Sequence, residues 1–386
     1  MQPMLRPLIV GAGPVGLGAA LFLAREGFHP RVVETRTEPN LQSRALAVNP
    51  RTLEILQPTG ITERMLELGL PVRGAQFHRN GKILASFSFE GVHPKYPFLL
   101  ALSQATTEHL LAQAFESAGG GIERGVKLVR CHPSAGFVEA VLEPSSGGAA
   151  ELATCPWLLG ADGARSIVRA QLGIAFQGSS LVRPWYLADA PLRTGLAEDR
   201  AHVFFLDDGA FLFLLRVVGE ETRNQTGAPL WRILGNRPDP LSQLLEAEQT
   251  GPALWTSSFH ISHRVAATLQ SGDVYLAGDA AHIHSPLGAR GMNLGLEDAW
   301  VFAHLAASNR LREYTALRHA VQLAVVRRIR FVSRVAAAEP PVLGLMRSLL
   351  FSTLSSFLPV RRRMMQILTG LDHDLPKFEP IQPDQR

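Results

Sequence analysis

The sequence predicts an α/β protein: a Rossmann-like domain that carries an inserted antiparallel β-sheet and ends in C-terminal helices. Three observations predict it. A short apolar strand, PLIV (7–10), runs into the glycine-rich GAGPVG and then an apolar helix. Two later strand ends, LLGADGARS around Asp162 and VYLAGDAAH around Asp279, each set an acid beside a glycine ahead of a helix. Between them, residues 181–260 alternate or run apolar with β-formers between turn residues, as an antiparallel sheet does.

The chain has 386 residues, of which 46% are hydrophobic and 19% charged, enough for a large core or for two domains sharing one ligand. The formal net charge of +4 comes partly from arginines near the C-terminal end, Arg327 to Arg363, interleaved with Val, Leu and Met. A nucleic-acid stripe is usually interleaved with aromatics, so no nucleic-acid partner is expected. Two cysteines, Cys131 and Cys155, with no CxxC argue against a disulfide framework or a cysteine metal site. They make a cytoplasmic location the default. Residues 7–24 carry no charge, but their glycines and proline form a phosphate turn rather than a signal peptide or membrane span.

In the first unit, Gly11 permits the tight turn, Gly13 lets the backbone approach a pyrophosphate, and Gly16 lets helix and strand pack closely. Pro14 and Val15 open the helix, whose N-terminus suits phosphates, and it runs to about Glu26. The second strand, HPRVVE (29–34), ends on Glu34, placed to accept hydrogen bonds from an adenosine ribose. This is a dinucleotide-binding opening; its spacing does not separate FAD from NAD(P).

Arg44 lies ahead of a helix begun by Asn49 and Pro50, either to neutralise a pyrophosphate or on the surface. Residues 71–100 read as a hairpin turning at Asn80-Gly81. Gln104 starts a helix over 103–119, as a cap or within reach of a ligand. Short strands over 122–159 read as a small meander, and Ser166 begins the helix after Asp162. In the insert, Phe204, Leu206, Phe211, Phe213 and Leu215 read as one apolar face, of a pocket or of an ordinary core, with a helix over 240–248 packed on the sheet.

Residues 273–299 then give a strand at Val274–Leu276, Asp279, Pro286, three glycines (288, 291, 295) and a helix from Met292. An acid, a close-approaching backbone and a helix N-terminus suit a polyol joined to an electron-poor ring, which describes a flavin's ribityl and pyrimidine. A long helix over 311–336 is stopped by Pro340 and Pro341. The apolar stretch 341–358 and the helix 361–371 read as a cap on the cofactor domain or as a peripheral membrane contact.

Together these motifs resemble the class A FAD-dependent aromatic hydroxylases, the single-component flavoprotein monooxygenases. GAGPVGLGAA with Glu34 is similar to the dinucleotide fingerprint, LLGADGARSIVR to the Asp-Gly motif and VYLAGDAAHIHSPLGARGMNLGLEDA to the Gly-Asp motif. SRALAVNPRTLEIL, LSQATTEHLL and the late RRRMMQILTGLD also resemble family segments, so the resemblance spans nearly the whole chain. It implies FAD contacts for Arg44 and Gln104, and service to both FAD and the nicotinamide cofactor for Asp162. It implies that Asp279 holds the ribityl chain and that Pro286 sits beside the isoalloxazine. N–H groups from Leu287 through Gly291, Met292 and Asn293 would meet the charge at flavin N1/O2. The implied reaction uses NAD(P)H, O2 and a C4a-hydroperoxyflavin to hydroxylate an aromatic or lipophilic, phenol-like small molecule, with no metal; on the apolar face of the insert, Phe213 is the candidate substrate contact.

The family usually has Gly-Gln where this chain has Ala289-Arg290. Arg290 would bring a positive charge to the flavin edge or the substrate, facing a reduced anionic flavin or a substrate carboxylate. His282 and His284 are near enough in sequence to act as a base, and each also reads as a structural histidine. The alternative activity is a reductase or dehydrogenase of a polyprenyl or quinone-type lipid. The expected division is a FAD-binding domain of residues 1–70, 98–178 and 264–340, a substrate domain of 71–97 and 179–263, and a C-terminal helical segment, 341–386.

Overall fold

The computed structural model describes residues 5–378 other than 41–44, 80, 207–208, 223–226, 245–246 and 338–357. The helices are α1 (Pro14–Arg25), α2 (Pro50–Leu56), α3 (Ile61–Leu68), α4 (Gln104–Ser117), α5 (Ile167–Gln171), α6 (Gly291–Ala307), α7 (Tyr314–Ala337) and α8 (Leu358–Thr369). Arg44 and the apolar stretch 341–357 lie outside the described residues. Among the described residues no helix is long and apolar enough to cross a membrane.

Six strands form the central sheet, in the order Gln270–Ser271, Val274–Leu276, Leu158–Gly160, Leu8–Val10, Arg31–Glu34 and Ile122–Arg124. All its pairings are parallel except the first hairpin. Leu8, Ile9, Val32, Val33, Leu158, Leu159, Val274 and Leu276 are fully buried, the continuous apolar runs of a sheet covered on both faces. The chain leaves Leu8–Val10 for Arg31–Glu34 on one side and returns to Leu158–Gly160 on the other. That reversal opens a crevice at the strands' C-terminal ends.

Close packing there demands glycine. A Cβ on Gly16 would stand 1.9 Å from the Gly11 carbonyl oxygen, and one on Gly11 would stand 2.4 Å from that of Ala161. Val15 plugs the gap between two later glycines, since a Cβ on Gly278 or Gly295 would fall 2.7 or 2.5 Å from its Cγ2. The first and third motifs are therefore keyed into each other.

The second large sheet has eight strands. Trp185–Thr194 pairs with Ala247–Gln249, Trp255–Phe259 and Leu230–Gly235; Phe211–Arg216, Ala201–Phe205, Gly74–Arg79 and Lys82–Ser88 follow. The hairpin around Gly81 thus joins the insert through a parallel pairing of 74–79 with 201–205. Two expectations are corrected. The outer strands of the supposed 122–159 meander, Ile122–Arg124 and Leu158–Gly160, belong to the central sheet, leaving three strands in the meander. The helix expected over 240–248 is a turn followed by a strand, Ala247–Gln249. Asp239, between two prolines, takes a left-handed φ of 48°, and the edge of Leu192–Thr194 recruits the strand.

Candidate active site

One cavity of about 1210 Å³ runs from the glycine-rich turn of the central sheet to the face of the inserted sheet. Gly11, Gly13, Pro14, Val15, Glu34, Gln104, Asp162, Asp279, Pro286, Arg290, Gly291, Met292 and Phe213 all line it. Gly16 does not; it serves the packing just described. Asn293 is fully buried, and its side chain is engaged by protein: Oδ1 accepts from Asn49 N–H at 2.9 Å, and Nδ2 donates to the Ala47 and Ala289 carbonyls.

The cavity's polar end is built from helix starts and carboxylates. Side chains of Asn49, Ser103 and Ser166 cap α2, α4 and α5. Helices α1 and α6, which open on the cavity at Gly13 and Arg290, begin without a side-chain cap. Their first N–H groups and positive dipole ends therefore remain for a ligand. Beside Gly13 and Gly291 a Cβ would meet nothing within 4 Å. Glu34 accepts from the backbone N–H of Ala12 at 2.9 Å and of Arg36 at 3.0 Å. Burial pushes its pKa up, and those N–H groups with the Arg36 guanidinium outweigh it, so the carboxyl sits below its usual range. Gln104 donates to Glu108 at 2.7 Å, a partner the sequence did not suggest.

Asp162 Oδ2 accepts from Ile167 and Val168 N–H at 2.7 and 3.1 Å and so holds the start of α5 together with Ser166. Its Oδ1 is buried with no partner among the described residues, and burial raises its pKa. Asp279 is exposed to the cavity in the turn Gly278–Ala280. From Pro286 the chain makes two left-handed residues, Gly288 (φ 88°) and Ala289 (φ 51°), before entering α6. Alanine pays about 1 kcal/mol for that conformation. The 2.6 Å bond from Asn293 to the Ala289 carbonyl helps hold it. An orphaned carboxylate oxygen, a Cβ-free cradle and two uncapped helix starts, all on one cavity, fit FAD. Its pyrophosphate would lie at α1, its ribose at Glu34, and its ribityl and pyrimidine at Asp279 and α6.

The cavity's other end is mainly apolar, with Arg232, which donates to Asp189 at 2.6 Å, as a charged side chain in its wall. Phe211, Phe213 and Leu215 line it; Phe204 and Leu206 do not. On Ala201–Phe205 the cavity face belongs to Val203 and Phe205, while Phe204 lies on the far side, stacked on His78 with centroids 4.4 Å apart. The two strands pair with Phe205 opposite Phe211, which puts the odd-numbered residues of both on one face. Sequence reasoning also missed the wall supplied by α7 and α8 (Val332, Met364, Leu368), which no local pattern marked.

Behind α6 lies a buried ionic network. His282 Nε2 donates to Asp298 Oδ2 at 2.7 Å, and Arg318 Nε donates to Asp298 Oδ1 at 2.7 Å. His282 is thus tied to Asp298 and does not line the cavity. His284 donates from Nδ1 to the Ser285 carbonyl at 2.9 Å, and burial pushes its pKa down to about 3, so it is neutral. Among the described residues no three His, Cys, Asp or Glu side chains form a metal-holding group.

A family described as "FAD binding domain" matches residues 5–329. The chain is 33% identical to a 6-methylpretetramide 4-monooxygenase of Streptomyces rimosus, over 94% of this chain and 68% of that one. It is 30% identical to a rifampicin monooxygenase of Streptomyces venezuelae, over 94% of this chain and 78% of that one. The anhydrotetracycline hydroxylase structure from Streptomyces rimosus superposes with a TM-score of 0.79 at 26% identity, covering 98% of this chain and 78% of that one. The p-nitrophenol 4-monooxygenase of Pseudomonas putida DLL-E4 shares the fold, with a TM-score of 0.81 at 22% identity over 96% and 99% of the two chains. The chain belongs to the class A FAD-dependent aromatic hydroxylases and is a FAD-dependent monooxygenase.

Proposed function

We propose that the protein hydroxylates an aromatic or lipophilic, phenol-like small molecule, taking electrons from NAD(P)H and one oxygen atom from O2. The observation that carries this reading is the continuity of the cavity. A phosphate- and polyol-binding end opens without a partition onto a chamber walled by Phe77, Phe205, Phe211 and Phe213. Relatives named for 6-methylpretetramide, rifampicin and anhydrotetracycline support a polycyclic aromatic.

Bound FAD supplies hydride acceptance and O2 activation; the chain's residues position, shield and neutralise. Glu34 would orient the adenosine ribose and Asp279 the ribityl chain, and the first N–H groups of α6 would stabilise negative charge on the pyrimidine. Pro286 shapes the oxygen-transfer site, and Asp162 faces the cofactor from the neighbouring strand end. The apolar sheet keeps water away and stacks the substrate ring through Phe213. Strands within 71–97 and 179–263 form the substrate domain in this reading, and 1–70, 98–178 and 264–340 the FAD domain.

The test is anaerobic mixing of the holoenzyme with NADPH and with NADH, with and without polycyclic phenols, followed by turnover under ¹⁸O2. Bleaching of the flavin with ¹⁸O in the product is expected; bleaching without label would point to a reductase acting on a quinone-type lipid. Asp279→Ala is expected to fold and to purify without FAD, checked by circular dichroism and flavin content. Full flavin occupancy would sink the role given to that acid.

A further inference from the structure

Arg290 stands in the cavity wall immediately before α6 and is 1% exposed. Half of its guanidinium is spent on protein. Nη1 donates to Asp372 Oδ1 at 2.6 Å and to the Ile367 carbonyl at 3.0 Å. Nε and Nη2, the two parallel donors of the other edge, meet no acceptor among the described residues. A buried cationic donor without an acceptor costs more than an ordinary lost hydrogen bond. The Nε–Nη2 edge has the geometry to take two neighbouring oxygens at once.

The arginine is held from behind. Asp372 also pairs with Arg328, and the next residue, His373, donates to Glu297 Oε2 at 2.7 Å, which fastens this segment to α6. Leu287, Ala289, Met364, Ile367 and Leu368 line the same cavity, and so does the neutral His284, whose charged form Arg290 disfavours. An ion pair at the edge of an apolar chamber, with its fork unspent, is arranged for a ligand that brings its own pair of oxygens.

We propose that Arg290, anchored by Asp372, determines substrate specificity by binding a two-oxygen acidic group on the aromatic substrate, a carboxylate or an enolised 1,3-dicarbonyl. This rests on reading the cavity as a flavin-plus-substrate chamber. Arg290 chooses the substrate and sets its orientation; Asp372 is a positioning residue that acts through it. Lysine cannot replace the arginine, because an ammonium is a point charge and not a fork.

Titration calorimetry on the oxidised holoenzyme with 3-hydroxy-2-naphthoate and 2-naphthol tests this, since the two probes differ by one carboxylate. The naphthoate is expected to bind at least tenfold tighter. Arg290→Gln should abolish that preference, and Arg290→Lys should weaken naphthoate binding fivefold or more with 2-naphthol unchanged. Asp372→Asn should weaken the naphthoate by a smaller factor. Bound FAD should stay at the wild-type level throughout. No preference in the wild type, or a preference that survives Arg290→Gln, overturns the proposal. Loss of FAD in Arg290→Gln also overturns it, because the fork would then serve the cofactor. Should Arg290→Gln fail to fold, the Arg290→Lys comparison decides. None of these titrations needs nicotinamide or O2, so their failure leaves the hydroxylase reading standing, and failure of flavin reduction leaves them unaffected.

Discussion

The two ends of the cavity are built on different principles. At the cofactor end, side-chain volume is excluded by backbone: Gly16 faces the Gly11 carbonyl, Gly11 faces Ala161, and Val15 fills the space above Gly278 and Gly295. At the substrate end the wall is one face of a sheet, whose strands come from residues 74–88 and 185–259, together with side chains of α7 and α8. The first wall has one solution. The second can exchange residues of similar size and change what it accepts.

Substitutions can break that contrast. Gly16→Ala places a methyl 1.9 Å from a carbonyl oxygen, a clash that only backbone movement relieves. It should cost more than about 3 kcal/mol and all bound flavin, read by urea unfolding and absorbance near 450 nm. A stable, yellow Gly16→Ala protein would show that the cofactor end is as plastic as the other. A smaller effect separates the sheet's two faces. Phe204→Ala, on the outer face, should lose about 2 kcal/mol of stability with ligand binding intact. Phe213→Ala, on the cavity face, should cost about 1 kcal/mol and weaken binding of 2-naphthol several-fold. The reverse pattern would mean that the faces are assigned wrongly.

Acid should also weaken the inserted sheet. His202 is buried on the outer face, Nδ1 3.0 Å from His78 Nε2, and burial pushes its pKa down to about 4. Unfolded, it takes a proton near its ordinary 6.5, so its contribution to stability is complete above that pH and declines as pH falls toward 4. Between pH 7 and pH 5 this one group should cost about 2 kcal/mol. His202→Asn should flatten the pH dependence of urea midpoints in that range; an unchanged slope would remove the histidine from the account. The smallest effect belongs to the turn before α6. Ala289→Gly relieves a left-handed alanine and should raise Tm by about 1–2 °C with flavin content unchanged.

The contrast also explains what could be read from the chain. The cofactor end was legible because its parts are local: strand, glycine turn and helix start lie within a dozen residues, and Gly11 and Gly16 each have a steric reason. The register of Ala201–Phe205 was not, because alternation along a strand shows two faces and not which one meets the core. Phe204 and Phe205 exchange places on that point alone. Asp372 and His373 were illegible as partners of α6, since an ion pair across some eighty residues leaves no periodic trace. Arg290 was visible as a departure from Gly-Gln; only coordinates show which edge of it is occupied.

The order of strands in the central sheet has a consequence for biogenesis. Leu158–Gly160 lies between Leu8–Val10 and Val274–Leu276, so one of its edges stays open until the last partner has been made. Some 116 residues separate Leu158 from Val274. At about 5–20 residues per second, a ribosome needs roughly 6–23 s to cover them. Throughout that interval the nascent chain carries an apolar, unpaired strand edge, so its yield in a host should depend on holdase chaperones and on elongation speed across the inserted sheet.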